Sequence, residues 1–172
     1  LHETSPAVII ANHASYLDAI VLMGLLGPHA VFTPMREFAD RWPFSTLFKR
    51  LGCQFVERHD ATGGLDDLKQ CRLLVNGGAS VVIFPEGTFV RSPGLLPFRR
   101  GAFHLAAECG VPLQPIVIRG TRTALTDGRW LLYPSRIEVI IEVPRYIDDA
   151  SWDRISEVMT DVHAQMRSIL GE

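Results

Sequence analysis

Short apolar runs rich in β-branched residues alternate along this chain with stretches of helical periodicity. That alternation restricts the fold more than any single residue does. AVII (7–10), AVFT (30–33), CQFVE (53–57), SVVIF (80–84), LQPIVIRG (113–120) and RIEVIIEV (136–143) read as strands. Between them DAIVLMGLL (18–26), PFSTLFKRL (43–51), TGGLDDLKQCRLLVNGG (62–78) and RRGAFHLAAECG (99–110) read as helices, and a last helix runs from near Ser151 to about Leu170. Phe44, Leu47, Phe48 and Leu51 form the i, i+3, i+4, i+7 stripe of an amphipathic helix. In the third helix Leu65, Leu68, Leu73 and Val75 are available for burial, and Gly77-Gly78 stops it. Strands separated by helices of about 10 to 15 residues imply βαβ units and a largely parallel sheet covered by helices. The predicted class is α/β, one domain over residues 1–172.

Composition excludes several function classes. A net charge of −2 makes no demand for nucleic acid as a partner. Cys53, Cys71 and Cys109 lack the spacing of a metal site or a disulfide framework, so no metal is expected. No apolar run reaches the roughly 18 to 20 residues of a membrane-spanning helix. The chain opens at Leu1 and its first Met is Met23, which suggests a fragment or module of a longer, membrane-associated protein.

Four blocks carry chemistry. In VIIANHASYLDAIVL (8–22) an apolar run ends at Asn12-His13, and Asp18 follows five residues on. Five residues of helix turn through about 500°, leaving the two side chains roughly 140° apart, so they cannot meet inside one regular helix. They can meet if His13 lies in the strand-to-helix turn and Asp18 in the first helical turn. The carboxylate would then hold one imidazole nitrogen and leave the other as a base. A plain helix start, capped by Asn12 or Ser15 with Asp18 at its positive end, fits the spacing as well.

In VVIFPEGTFVRS (81–92) a buried strand opens into Pro85-Glu86-Gly87-Thr88, with Arg91 close behind. This places a carboxylate, a flexible amide and a hydroxyl where open α/β sheets bind ligands. A surface turn accounts for the same residues. RLGCQFVERHD (50–60) puts Phe55 and Arg58 at a strand exit, and an arginine there is most often a solvated charge. In LPFRRGAFHLAAECGVPLQP (96–115), Arg99 and Arg100 fall at a helix start, where the macrodipole disfavours cations. An anion held between them and the amides would explain the pair, and so would a solvated loop.

Together the blocks resemble the glycerolipid acyltransferase family, which includes lysophosphatidate and glycerol-3-phosphate acyltransferases. Its Asn-His-x-x-x-x-Asp block is matched by Asn12, His13 and Asp18. Its Gly-x-x-Phe-(Ile/Val)-x-Arg block is matched by Gly52, Phe55, Val56 and Arg58. Phe-Pro-Glu-Gly-Thr stands whole at 84–88, and Val-Pro-(Ile/Leu)-x-Pro is matched by Val111, Pro112, Leu113 and Pro115. Two departures stand out. Phe89-Val90 intervene before Arg91-Ser92, and Met35-Arg36 replace a common lysine-containing site.

The resemblance implies acyl transfer from acyl-CoA or acyl-carrier protein to a glycerophosphate or lysophospholipid hydroxyl, with no cofactor beyond that co-substrate. His13 would be the base, oriented by Asp18. Arg58, Glu86, Gly87 and Thr88 would bind the acceptor, with Asn12, Gly52 and Phe55 in support; beside the resemblance, Arg91 is an added candidate, and Arg99 and Arg100 would meet phosphate on the acceptor or on the CoA arm. Backbone amides near the first helix or Gly87 would stabilise the oxyanion. The expected workplace is the cytoplasmic face of a membrane, where Trp42 is a candidate anchor. The rival readings are a non-catalytic lipid- or phosphate-binding module and a serine hydrolase. The Gly-x-Ser-x-Gly elbow of the latter does not occur here.

Overall fold

The computed structural model describes residues 5–27, 30–32, 64–90, 92–125 and 132–171. In chain order the elements are β1 (Val8–Ala11), α1 (Leu17–Leu26), β2 (Ala30–Phe32), α2 (Gly64–Asn76), β3 (Ser80–Ile83), α3 (Gly101–Cys109), β4 (Leu113–Arg119), α4 (Thr121–Ala124), β5 (Glu138–Ile141) and α5 (Trp152–Leu170). The expected helix at 43–51 and strand at 53–57 lie outside the described residues. So do Gly52, Phe55, Arg58 and Arg91.

The sheet order is β2-β3-β1-β4-β5. β1 pairs in parallel with β3 and β4, and β2 in parallel with β3. Among the described strands only β5 runs antiparallel, on the edge of β4. The mostly parallel α/β domain is therefore as its alternating pattern required. A strand pointing alternate residues to opposite faces must be apolar throughout if both faces are covered. β1 does this: Val8 and Ile10 join one core with α2, α3 and α5, while Ile9 and Ala11 join another with α1. Phe103 and Leu22 are fully buried, one in each core. Truncating either to Ala would cost about 2–5 kcal/mol.

Two expectations need correction. Leu73 is 73% exposed, whereas Cys71 and Val75 are buried. Leu68, Cys71 and Val75 share one helical stripe, and Leu73, two residues from Cys71, points about 200° away. The helix expected from Arg99 starts one residue later: Arg100 is the N-cap of α3, its carbonyl accepting from the His104 N–H at 2.9 Å, while Arg99 stands just before it with its main-chain N–H donating to the Pro85 carbonyl at 2.8 Å.

The helices leaving β1 and β3 pack on opposite faces of adjacent strands, α1 on one and α3 on the other. A crevice opens between the carboxyl ends of such strands, and both the His13 and Glu86 segments emerge there.

Candidate active site

β1 ends at Ala11, and the Asn12 side chain extends its pairing one step further. Asn12 Oδ1 accepts from the Ile118 N–H at 2.7 Å, and Asn12 Nδ2 donates to the Ile118 carbonyl at 2.9 Å. Thus anchored, the chain turns at His13 before α1 begins. Asp18 Oδ2 accepts from the N–H groups of Ala14 (2.6 Å) and Ser15 (2.7 Å) and lies 3.0 Å from His13 Nδ1. The spacing that left a base pair and a helix start both open proves to hold elements of each. The carboxylate ties down the turn and orients the ring, while Ser15 Oγ accepts from the Leu17 N–H at 3.3 Å.

An ionised carboxylate only accepts, so the His13 proton sits on Nδ1 and Nε2 is the basic nitrogen. The ring stacks on Phe84 at 4.3 Å and meets Phe89 at 4.4 Å, which fixes its plane. Both His13 and Asp18 are buried.

Glu86 comes from the turn after β3. Its Oε1 accepts from the His13 N–H at 2.7 Å and its Oε2 from the Leu96 N–H at 2.8 Å. Glu86 is 5% exposed. Burial drives its pKa up from 4.5 to about 7, against the lowering effect of those two bonds; Asp18 raises it further and Arg122 lowers it. The turn continues through Gly87 at φ +74°, where a Cβ would stand 2.7 Å from the Arg99 guanidinium carbon. Glycine thus lets Arg99 lie across the backbone. Thr88 is exposed beside it.

Arg100 turns elsewhere, its guanidinium 3.1 Å above the centre of the Trp152 ring. The two arginines therefore do not form one anion cradle. Of the amides in the expected oxyanion region, those of His13, Ala14 and Ser15 serve Glu86 and Asp18, and the Gly87 N–H donates to the Phe84 carbonyl at 3.0 Å.

The crevice holds a cavity of about 260 Å³. Asn12, His13, Ala14 and Glu86 line one side, Ile118 to Arg122 another, with Gly94, Leu95 and Leu170 completing the wall. A buried base facing such a space suits abstraction of a proton from a bound hydroxyl. Among the described residues no group of His, Cys, Asp and Glu is arranged to hold a metal ion.

A family model described as Acyltransferase matches residues 1–119. The chain belongs to the acyltransferase family. It is 34% identical over 165 residues to the chloroplastic 1-acyl-sn-glycerol-3-phosphate acyltransferase BAT2 of Brassica napus, covering 90% of the chain and 47% of that relative. It is 30% identical over 159 residues to a 1-acyl-sn-glycerol-3-phosphate acyltransferase of Cocos nucifera, covering 92% of the chain and 52% of the relative. The chain thus spans about half the length of these curated relatives. The crystal structure of the 1-acyl-sn-glycerophosphate acyltransferase of Thermotoga maritima shares the fold, with a TM-score of 0.74 at 22% identity, over 96% of this chain and 66% of that one.

Sequence reasoning missed the second wall of the cavity. Arg119, Gly120, Thr121 and Arg122 line it. A signal was present in IRGTR: a strand end followed by Gly, a hydroxyl residue and Arg repeats the order seen after β3. Also missed was His163 of α5, whose Nε2 lies 3.2 Å from the Leu96 carbonyl and so supports the strap that holds Glu86.

Proposed function

We propose that this chain transfers a fatty acyl group from a thioester, acyl-CoA or acyl-carrier protein, to the hydroxyl of a 1-acylglycerol-3-phosphate, a step of phospholipid biosynthesis at the cytoplasmic face of a membrane. The observation that carries the reading is His13 Nδ1 held 3.0 Å from an Asp18 carboxylate that two main-chain amides also hold. The names of the relatives support the choice of acceptor.

His13 Nε2 takes the hydroxyl proton as oxygen attacks the thioester carbonyl, and Asp18 favours the imidazolium that forms. The new C–O bond gives a tetrahedral oxyanion. With the amides of His13, Ala14, Ser15 and Gly87 engaged, the positive charge of Arg122 on the cavity wall offsets it. Collapse breaks the C–S bond, and the imidazolium proton goes to the departing thiolate. No covalent enzyme intermediate is required. Arg58, which the family pattern assigns to the acceptor phosphate, lies outside the described residues.

Release of free thiol from acyl-CoA is followed with 1-acylglycerol-3-phosphate, glycerol-3-phosphate or other lysophospholipids as acceptor. The expected result is release dependent on 1-acylglycerol-3-phosphate and lost in His13→Ala. Near-normal turnover in that variant refutes the base assignment, and thiol release without any alcohol acceptor would indicate a hydrolase.

A further inference from the structure

The turn that walls the cavity is ringed by exposed apolar side chains. Leu132 is 65% exposed and Tyr133 48%, and Val90 and Ile137 are exposed as well. Isolated apolar residues on a surface are ordinary; four around one turn beside a cavity are not. Their exposure is built in by the backbone. The Tyr133 N–H donates to the Ala124 carbonyl at 2.8 Å, and Ser135 Oγ donates to the Gly120 carbonyl at 3.1 Å. Arg122 donates to the Val90 carbonyl at 3.3 Å. Gly120 sits at φ +86°, and a Cβ there would collide with the Arg136 carbonyl. The segment is therefore clamped to the cavity wall with its apolar groups facing out.

Charge indicates what covers them. Arg119, Arg122 and Arg136 border the same turn, and Glu138 pairs with Arg136 at 3.0 Å and Arg119 at 3.7 Å. In the described part of this segment, LYPSR (132–136), a leucine and a tyrosine stand beside an arginine. Aromatic rings and leucines enter the boundary between headgroups and acyl chains while guanidinium groups stay with the phosphates. No helix among the described residues is long and apolar enough to cross a membrane.

We propose that Val90, Leu132, Tyr133 and Ile137, with Arg136, dock this domain on an anionic lipid surface and turn the cavity toward a lipid held there. The inference rests on the reading that the acceptor is a lipid.

The 172-residue chain is sedimented with vesicles of phosphatidylglycerol and phosphatidylcholine, and with phosphatidylcholine alone. Wild type is expected to bind the mixed vesicles and to bind neutral ones weakly. Leu132→Ser combined with Tyr133→Ser should weaken that binding on the order of tenfold. Arg136→Gln should reduce the preference for the anionic lipid by about fivefold. Val143→Ser, 76% exposed past the opposite end of β5, should bind as wild type. Transfer to a short-chain, water-soluble acceptor without vesicles should be unchanged in the double variant.

Failure of the wild type to sediment overturns the inference, as does equal binding by the double variant or equal loss in Val143→Ser. If transfer in solution persists in those cases, the enzymatic reading stands. If vesicle binding follows the rim but no acceptor supports thiol release, docking stands and the enzymatic reading falls.

Discussion

The main-chain N–H of His13 donates to Oε1 of Glu86 at 2.7 Å, so a carboxylate from one strand end sets the position of a base from the next without touching its ring. Asp18 aims the ring; Glu86 places the backbone that carries it.

This bracing is sensitive to pH. The folded chain holds the Glu86 proton up to about pH 7, whereas the unfolded chain releases it near 4.5. Between those values the native state binds more protons, so stability falls as pH rises and levels off above about 7. The loss is on the order of 1–3 kcal/mol. Urea midpoints across that window should decline in wild type and lose this contribution in Glu86→Gln. The Gln variant should also be less stable by about 1–3 kcal/mol below the window, because its amide turns a donor toward the His13 or Leu96 N–H. Identical slopes in the two proteins would contradict the role given to Glu86.

All three bonds to Asp18 reach Oδ2, and Oδ1 has no hydrogen-bond partner among the described residues. Asp18→Asn can place its carbonyl oxygen at the same point, so it should keep the ring geometry and lose only the charge. We expect kcat to fall about a hundredfold in Asp18→Asn and 10³- to 10⁴-fold in Asp18→Ala. Equal losses in steady-state kinetics would mean that charge alone matters.

Ser15 is fully buried, donates from Oγ to the Leu125 carbonyl at 2.8 Å and accepts from Leu17. A hydroxyl so engaged is a structural tie. Ser15→Ala should lose about 1–3 kcal/mol of stability yet keep turnover within a few fold, with no burst of thiol ahead of steady state. Abolished turnover in a folded variant would revive a serine nucleophile.

His163 acts at a distance through Leu96, whose N–H holds Glu86. His163→Phe keeps a ring against Phe98 but removes the bond. It should lower kcat about three- to tenfold with KM little changed, and His163→Gln, which restores a donor, should recover most of that. An effect on KM alone would place His163 in substrate binding.

Much of this domain was legible one element at a time. VIIA, SVVI and LQPIVIR are apolar because strands covered on both faces must be, and the Gly77-Gly78 stop after α2 was equally plain. His13 and Asp18 were legible as a pair because the turn that joins them is local. The fate of Arg99 and Arg100 was not, since it depends on Pro85 and Trp152, residues far along the chain. Glu86 was visible as a carboxylate at a strand end, but neither main-chain amide that engages it is near in sequence.

Sequence by itself determined the layers, the strand ends that carry polar residues and the His13–Asp18 unit, because periodicity and short spacing are local properties. Tertiary structure decided which strand ends face each other. Only by placing β1 between β3 and β4 does it bring His13, Glu86 and Arg122 to one cavity. Hydrogen bonds and burial across 73 residues leave no period in the sequence to read.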